Sequence, residues 1–178
     1  FFRNNNHIFK IVGIICAFLL FLGVSTLIDK KEKPSTLGLS PEEVVYMMYS
    51  GFDTLNIEIF GATIEKRSVG RDLENFISNM YVMGRVRETY ESEKRTYTLP
   101  QWVNLTNPVG SYFFSVTDVK LTLIEDGDNL KKYRADYNVI FNDPMFDIFG
   151  YVEHDDLELV YKKDRWLVSS ITTYQEDM

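Results

Sequence analysis

The residue pattern predicts an α+β domain carried behind an N-terminal transmembrane helix. Three observations predict it. Ile11 to Ile28 is an uncharged apolar run. Ser40-Pro41-Glu42-Glu43 opens a stretch in which apolar residues recur at three- and four-residue steps. Beyond Ser111 the spacing changes to two. These are the patterns of a membrane-crossing helix, an amphipathic helix and half-buried strands respectively.

As a helix, Ile11 to Ile28 spans roughly 27 Å, close to the hydrocarbon thickness of a bilayer. Such a helix satisfies its own backbone hydrogen bonds, so lipid can surround it at no polar cost. Arg3 and Lys10 flank one side and Lys30, Lys31 and Lys33 the other, so the positive-charge rule leaves orientation open. Three readings of residues 8–28 follow: an uncleaved anchor with the domain outside the cytoplasm, a cleaved signal with Ile11 to Leu22 as its apolar region before Gly23-Val24-Ser25, and the inverted topology. The expectation is the first, a single-pass protein of the cell membrane. Cys16, the single cysteine, lies inside the run. The rest of the chain therefore has no disulfide, cysteine metal site or catalytic thiol.

The division expected is an N-terminal segment (1–33, with the anchor at about 8–28), a polar linker (34–39) and a soluble domain (40–178). Residues 34–178 hold 14 Lys and Arg against 24 Asp and Glu, a formal charge of −10. That field repels phosphate backbones and argues against nucleic acid as a partner. With 13 Phe, 11 Tyr and 2 Trp in the chain, the domain can build a packed core rather than stay disordered.

Within the domain, Ser40 suits a helix cap, Pro41 the first helical position and Glu43 the closing position of a capping box, with Leu39 and Val44 as a hydrophobic staple. Val44, Val45, Met48, Phe52 and Leu55 then share one face to about Leu55. Asn56 to Ala62 is a short apolar segment of open type, ended by Gly61. Arg71 to about Met83 is a second helix with Leu73, Phe76, Ile77, Met80 and Met83 on one side. From Arg85 to Gly110 the pattern weakens into an irregular excursion with one extended piece. Val119, Leu121 and Leu123 mark a strand, Glu125 to Asn129 a turn, and Tyr133, Ala135, Tyr137, Val139 and Phe141 a second strand. After a turn at Asn142-Asp143-Pro144, a third strand covers about Asp155 to Lys162, with Leu157, Leu159 and Tyr161 on one side. Lys162-Lys163-Asp164-Arg165 turns the chain into a last strand, Trp166 to Thr173. Helices first and an antiparallel meander second make an α+β arrangement.

Ser40-Pro41-Glu42-Glu43-Val44-Val45 opening the first helix and Lys162-Lys163-Asp164-Arg165-Trp166-Leu167-Val168 closing the sheet resemble the nuclear-transport-factor-two-like superfamily. The resemblance covers roughly residues 38 to 174. It implies a curved sheet wrapped on the long helix, a cone-shaped pocket between them and an outer sheet face available for dimerisation. Anchored members of that superfamily include small bacterial surface proteins of unknown role and bitopic assembly subunits of conjugation and type IV secretion machines. The superfamily holds enzymes, binders and assembly domains alike, so fold alone does not decide function.

The candidate pocket residues are Phe52, Phe76, Tyr137 and Tyr161. Candidate partner-surface residues are Trp102, Met145, Phe146 and Phe149, which either project from loops or belong to the core. Glu153-His154-Asp155-Asp156 places an imidazole beside carboxylates, an acid–base pairing in principle. Four consecutive polar residues read better as a solvated strand edge or turn, so no catalytic residue is assigned. Asp126-Gly127-Asp128-Asn129 lacks the alternating spacing and distal Glu of an EF-hand and reads as turn chemistry. No metal or cofactor is expected. The leading expectation is a tethered interaction or assembly domain without catalysis, bound to the bilayer through Ile11 to Ile28 and to a protein partner or a second copy. A small-ligand binder is the alternative, and a dehydratase or isomerase comes third. A deep pocket with convergent buried polar groups would favour the last two, and a filled cone the first.

Overall fold

A computed structural model describes residues 34–90, 96–98, 112–143 and 146–175. Three helices, α1 (Pro41–Asp53), α2 (Ile57–Thr63) and α3 (Arg71–Tyr90), precede five strands, β1 (Thr96–Thr98), β2 (Tyr112–Asp126), β3 (Leu130–Asp143), β4 (Phe146–Lys162) and β5 (Arg165–Gln175). The strands lie in one sheet in chain order. β2 to β5 form an antiparallel meander, and β1 adds a short parallel edge to β2. Register shifts fall between Thr117 and Lys120, Leu123 and Glu125, Asn142 and Asp143, and Glu158 and Leu159. Bulges of this kind bend a strand and increase its twist, which curves the sheet around the helices.

α1 starts as its sequence dictates. The Ser40 side chain accepts from the Glu43 backbone N–H, and Glu43 Oε2 accepts from the Ser40 N–H at 2.7 Å. Val44, Val45, Met48, Tyr49 and Phe52 are buried against the sheet. The chain reverses through Leu55, at a φ of 52°, into Asn56, whose side chain accepts from the N–H groups of Glu58 and Ile59 and caps α2. The segment of open type is thus a helix, and it continues past Gly61 to Thr63. At Gly51 a Cβ would stand 2.6 Å from the Phe60 backbone nitrogen, so α1 and α2 touch at a distance only glycine permits.

α3 runs seven residues beyond the expected end at Met83. The apolar pattern fades there because this part of the helix is largely solvated, with only Ile77 and Gly84 buried along α3. Arg, Val and Glu residues sustain the helix, with an Arg85–Glu88 pair at 2.8 Å one turn apart. The irregular excursion therefore begins as helix and includes β1; the rest of it lies outside the described residues.

The core joins α1 to the sheet through an aromatic cluster. Phe52 sits 5.7 Å from Phe76, 5.6 Å from Phe114 and 6.4 Å from Tyr137 between ring centroids. Asp53, at the end of α1, accepts from the Val116 N–H and the Ser115 hydroxyl (2.8 and 2.7 Å), satisfying a backbone donor two residues past Phe114, the partner of Thr98.

Residues 34–39, expected as a polar linker, are tied to β5 through Thr36 and Leu37. Thr36 is fully buried and its hydroxyl donates to the Trp166 carbonyl at 2.9 Å, and Leu37 bridges to Arg165. Among the described residues no helix is long and apolar enough to cross a membrane. The expected anchor, Ile11 to Ile28, lies outside them.

Candidate functional site

Strand alternation decides which polar groups reach the interior. In β4, Leu157 and Leu159 face the core, and a period of two places Glu153 and Asp155 on the same side. Opposite them in register stand Tyr137 and Ala135 of β3 and Gln175 and Thr173 of β5. Asp155 is completely buried. Its Oδ2 accepts from the Tyr49 hydroxyl and its Oδ1 from the Thr173 hydroxyl, each at 2.6 Å. Next to it Tyr137 donates to Glu153 Oε2 at 2.8 Å, and the Tyr49 and Tyr137 rings pack at 4.8 Å.

Burial raises the pKa of both carboxyls, since a charge withdrawn from water is disfavoured. For Asp155 the hydrogen bonds from Thr173 and Tyr49 oppose that rise. For Glu153 the Tyr137 hydrogen bond opposes it and the Asp155 charge adds to it. The Tyr49 and Tyr137 hydroxyls are pushed well up by burial and by the adjoining acids, so both remain donors. Burial also pushes Tyr151 up to about 12.

Glu153 opens onto a cleft of about 670 Å³ between the start of α3, the loop before it and strands β4 and β5. Phe52, Phe76 and Tyr151 form its apolar wall, and Ser68, Arg71 and Thr173 are among its polar lining. Gly70 takes a φ of +68°, and a Cβ there would press to 3.1 Å on Phe60 and Ile171. Glycine thus lets the chain turn into α3 while packing closely on Phe60 and Ile171.

Of the pocket residues expected from sequence, Phe52 and Phe76 line this cleft. Tyr137 sits behind them in the core and reaches the cleft only through Glu153. Tyr161 does not belong to it: 41% exposed, it packs on Trp166 at 5.2 Å toward the β4–β5 turn. Trp102 and Met145 lie outside the described residues. Phe146 and Phe149 lie in β4, whose backbone begins at Phe146 and pairs with β3, so the stretch is strand rather than loop tip; their side chains are not described.

Glu153 to Asp156 are neither a turn nor a solvated edge. They stand in mid-strand, and successive side chains go to opposite faces. His154 is on the outer face, its Nδ1 2.6 Å from Asp136 Oδ1, on the opposite side of the sheet from Asp155. The Asp126–Asn129 acids form the β2–β3 turn, closed by the Gly127 N–H donating to the Leu130 carbonyl at 2.9 Å. Among the described residues no three His, Cys, Asp or Glu side chains converge as a metal site would require.

No protein-family model matches the sequence, and no curated protein matches it. Solved structures with a similar chain course exist at low identity. A variant of a protein of unknown function from Mycobacterium tuberculosis is 7% identical with a TM-score of 0.45, over 77% of this chain and 70% of that one. A provisionally named dehydratase of the NTF2-like family from Streptomyces avermitilis is 9% identical with a TM-score of 0.42, over 77% and 94%. A protein from Kribbella flavida is 13% identical with a TM-score of 0.43, over 76% and 90%.

Proposed function

We propose that this chain is a membrane-tethered binding domain whose cleft takes a small ligand, without catalysis. The observation that carries the reading is the cleft of about 670 Å³, a volume within the range of small-molecule sites. Its wall is aromatic and its floor holds a half-buried carboxylate. Helix and sheet do not fill the cone, and polar groups converge at its base, the arrangement that distinguishes a binder from a purely structural domain. Of the two inward acids, Asp155 is closed off by Tyr49 and Thr173 and only Glu153 lines the cleft, while His154 is on the far side of the sheet; one such acid among aromatic rings supports a reading of binding. Ile11 to Ile28 would hold this domain beside a bilayer.

A second reading, the assembly domain, draws on α3, which leaves Tyr81, Val82, Met83 and Val86 exposed. One experiment separates the two. Ligand-observed NMR of the full chain in detergent against a library of small metabolites should find binders whose signals vanish with Ser68→Trp, which places a large ring in the cleft from an exposed position. A domain used only for assembly leaves the cleft empty, and the substitution then changes nothing.

A further inference from the structure

The geometry points to a ligand carrying a positively charged amine on an apolar or aromatic body, with Glu153 as its counter-ion and Phe52, Phe76 and Tyr151 as its walls. The inference rests on the cleft reading and adds the chemical class of the occupant. Glu153 Oε2 is engaged by Tyr137, while Oε1 accepts no hydrogen bond from a described residue. Among the described residues no Lys or Arg pairs with this carboxylate, and none figures among the causes of its pKa shift.

A half-buried acid beside a second, fully buried one lacks the cation that would offset its desolvation. Asp155 cannot serve a ligand in its place, because both its oxygens are already taken by Tyr49 and Thr173. The three aromatic rings that line the same cleft as Glu153 suit an ammonium group, through their negative faces, and suit an apolar body equally well.

Features that would favour an anion are offset. Arg71 and Asp72 both line the cleft, both are exposed, and they carry opposite charges. The positive end of α3 is countered by Asp72 and Glu74 in its first turn. The −10 charge of residues 34–178 adds a long-range field that draws cations in.

The test uses three probes matched in size: benzylamine, benzyl alcohol and benzoate, titrated by NMR into the full chain in detergent near neutral pH. Benzylamine should bind at least about tenfold more tightly than the alcohol, a ratio equal to one modest charge pair, and benzoate most weakly. Glu153→Gln, which keeps an acceptor for Tyr137, should erase the amine preference and leave alcohol binding in place. In the unmutated chain, amine affinity should fall as pH is lowered through the raised pKa of Glu153, because proton and ammonium compete for one carboxylate; this second measurement does not depend on the variant folding. Equal binding of amine and alcohol, or tightest binding of benzoate, overturns the amine assignment and leaves the cleft reading standing. Failure of all three probes to bind also overturns the amine assignment, while the cleft reading stands or falls on the metabolite screen with Ser68→Trp.

Discussion

Glu153 and Asp155 point one way from β4, and His154 and Asp156 the other, and the two faces of one strand give similar side chains opposite physics. Inward, Asp155 has no exposed surface and depends on two hydroxyl donors at 2.6 Å. Outward, Asp156 meets the Arg134 guanidinium through two contacts, 2.9 and 3.2 Å, where water screens the pair. The outer pair can separate and be rehydrated at little cost. The inner carboxylate cannot, so each group around it is fixed by the need to satisfy it. What separates a candidate binding face from an ordinary surface here is strand parity.

The strongest way to break the comparison is Tyr49→Phe. The ring stays packed against Tyr137, but Oδ2 of Asp155 loses its donor. Leaving a buried acceptor without its donor costs about 1–3 kcal/mol, so urea unfolding at neutral pH should show a loss of that size with an unchanged dependence on denaturant. A loss under about half a kcal/mol would mean that water reaches Asp155.

A smaller effect sharpens the same contrast through pH. The folded-state pKa of Asp155 is raised by burial, so the folded chain holds this proton at pH values where the unfolded chain has released it. Its contribution to stability is therefore greatest below the unfolded carboxylate value and declines as pH rises through the folded one. Asp155→Asn is isosteric, can still accept from Thr173 and lacks that titration. The stability difference, variant minus unmutated chain, should move in favour of the variant as pH is raised from about 4, the ordinary carboxylate value, toward neutrality. A pH-independent difference in chemical denaturation would show that Asp155 titrates alike in both states.

How much of this was legible beforehand follows from where the residues sit. The capping box at Ser40–Glu43 and the alternation of Tyr133 to Phe141 are local signals, and the elements they announce are present. The inward acids were equally open to reading, because Glu153 and Asp155 keep phase with Leu157 and Leu159. Four adjacent polar residues masked that parity. Tyr49 keeps helical phase with Val45 and Phe52, but the partnership carried no signal: Tyr49 and Thr173 meet Asp155 only because α1 crosses the sheet and β5 pairs beside β4, contacts more than a hundred residues apart in the first case. Tyr161 shows the opposite failure. It shares the parity of Leu159 but lies past the end of the helix layer, where the inner face becomes surface. The extra turns of α3 were hidden because an exposed helix has no apolar period to display.

The outer pair supplies the smallest expected effect. In a double-mutant cycle with Arg134→Ala and Asp156→Ala, side chains that are 52% and 39% exposed should couple by about 0.2–1 kcal/mol. The coupling should shrink further at high salt, where the screening length falls from about 10 Å at 0.1 M to about 3 Å at 1 M. His154–Asp136 and Lys132–Glu158 stand on the same face, so the loss of one pair is also softened by its neighbours. A coupling as large as the Tyr49→Phe loss, and insensitive to salt, would break the comparison altogether. It would mean that the outer face is shielded from water in solution, and only another surface laid against the sheet could do that.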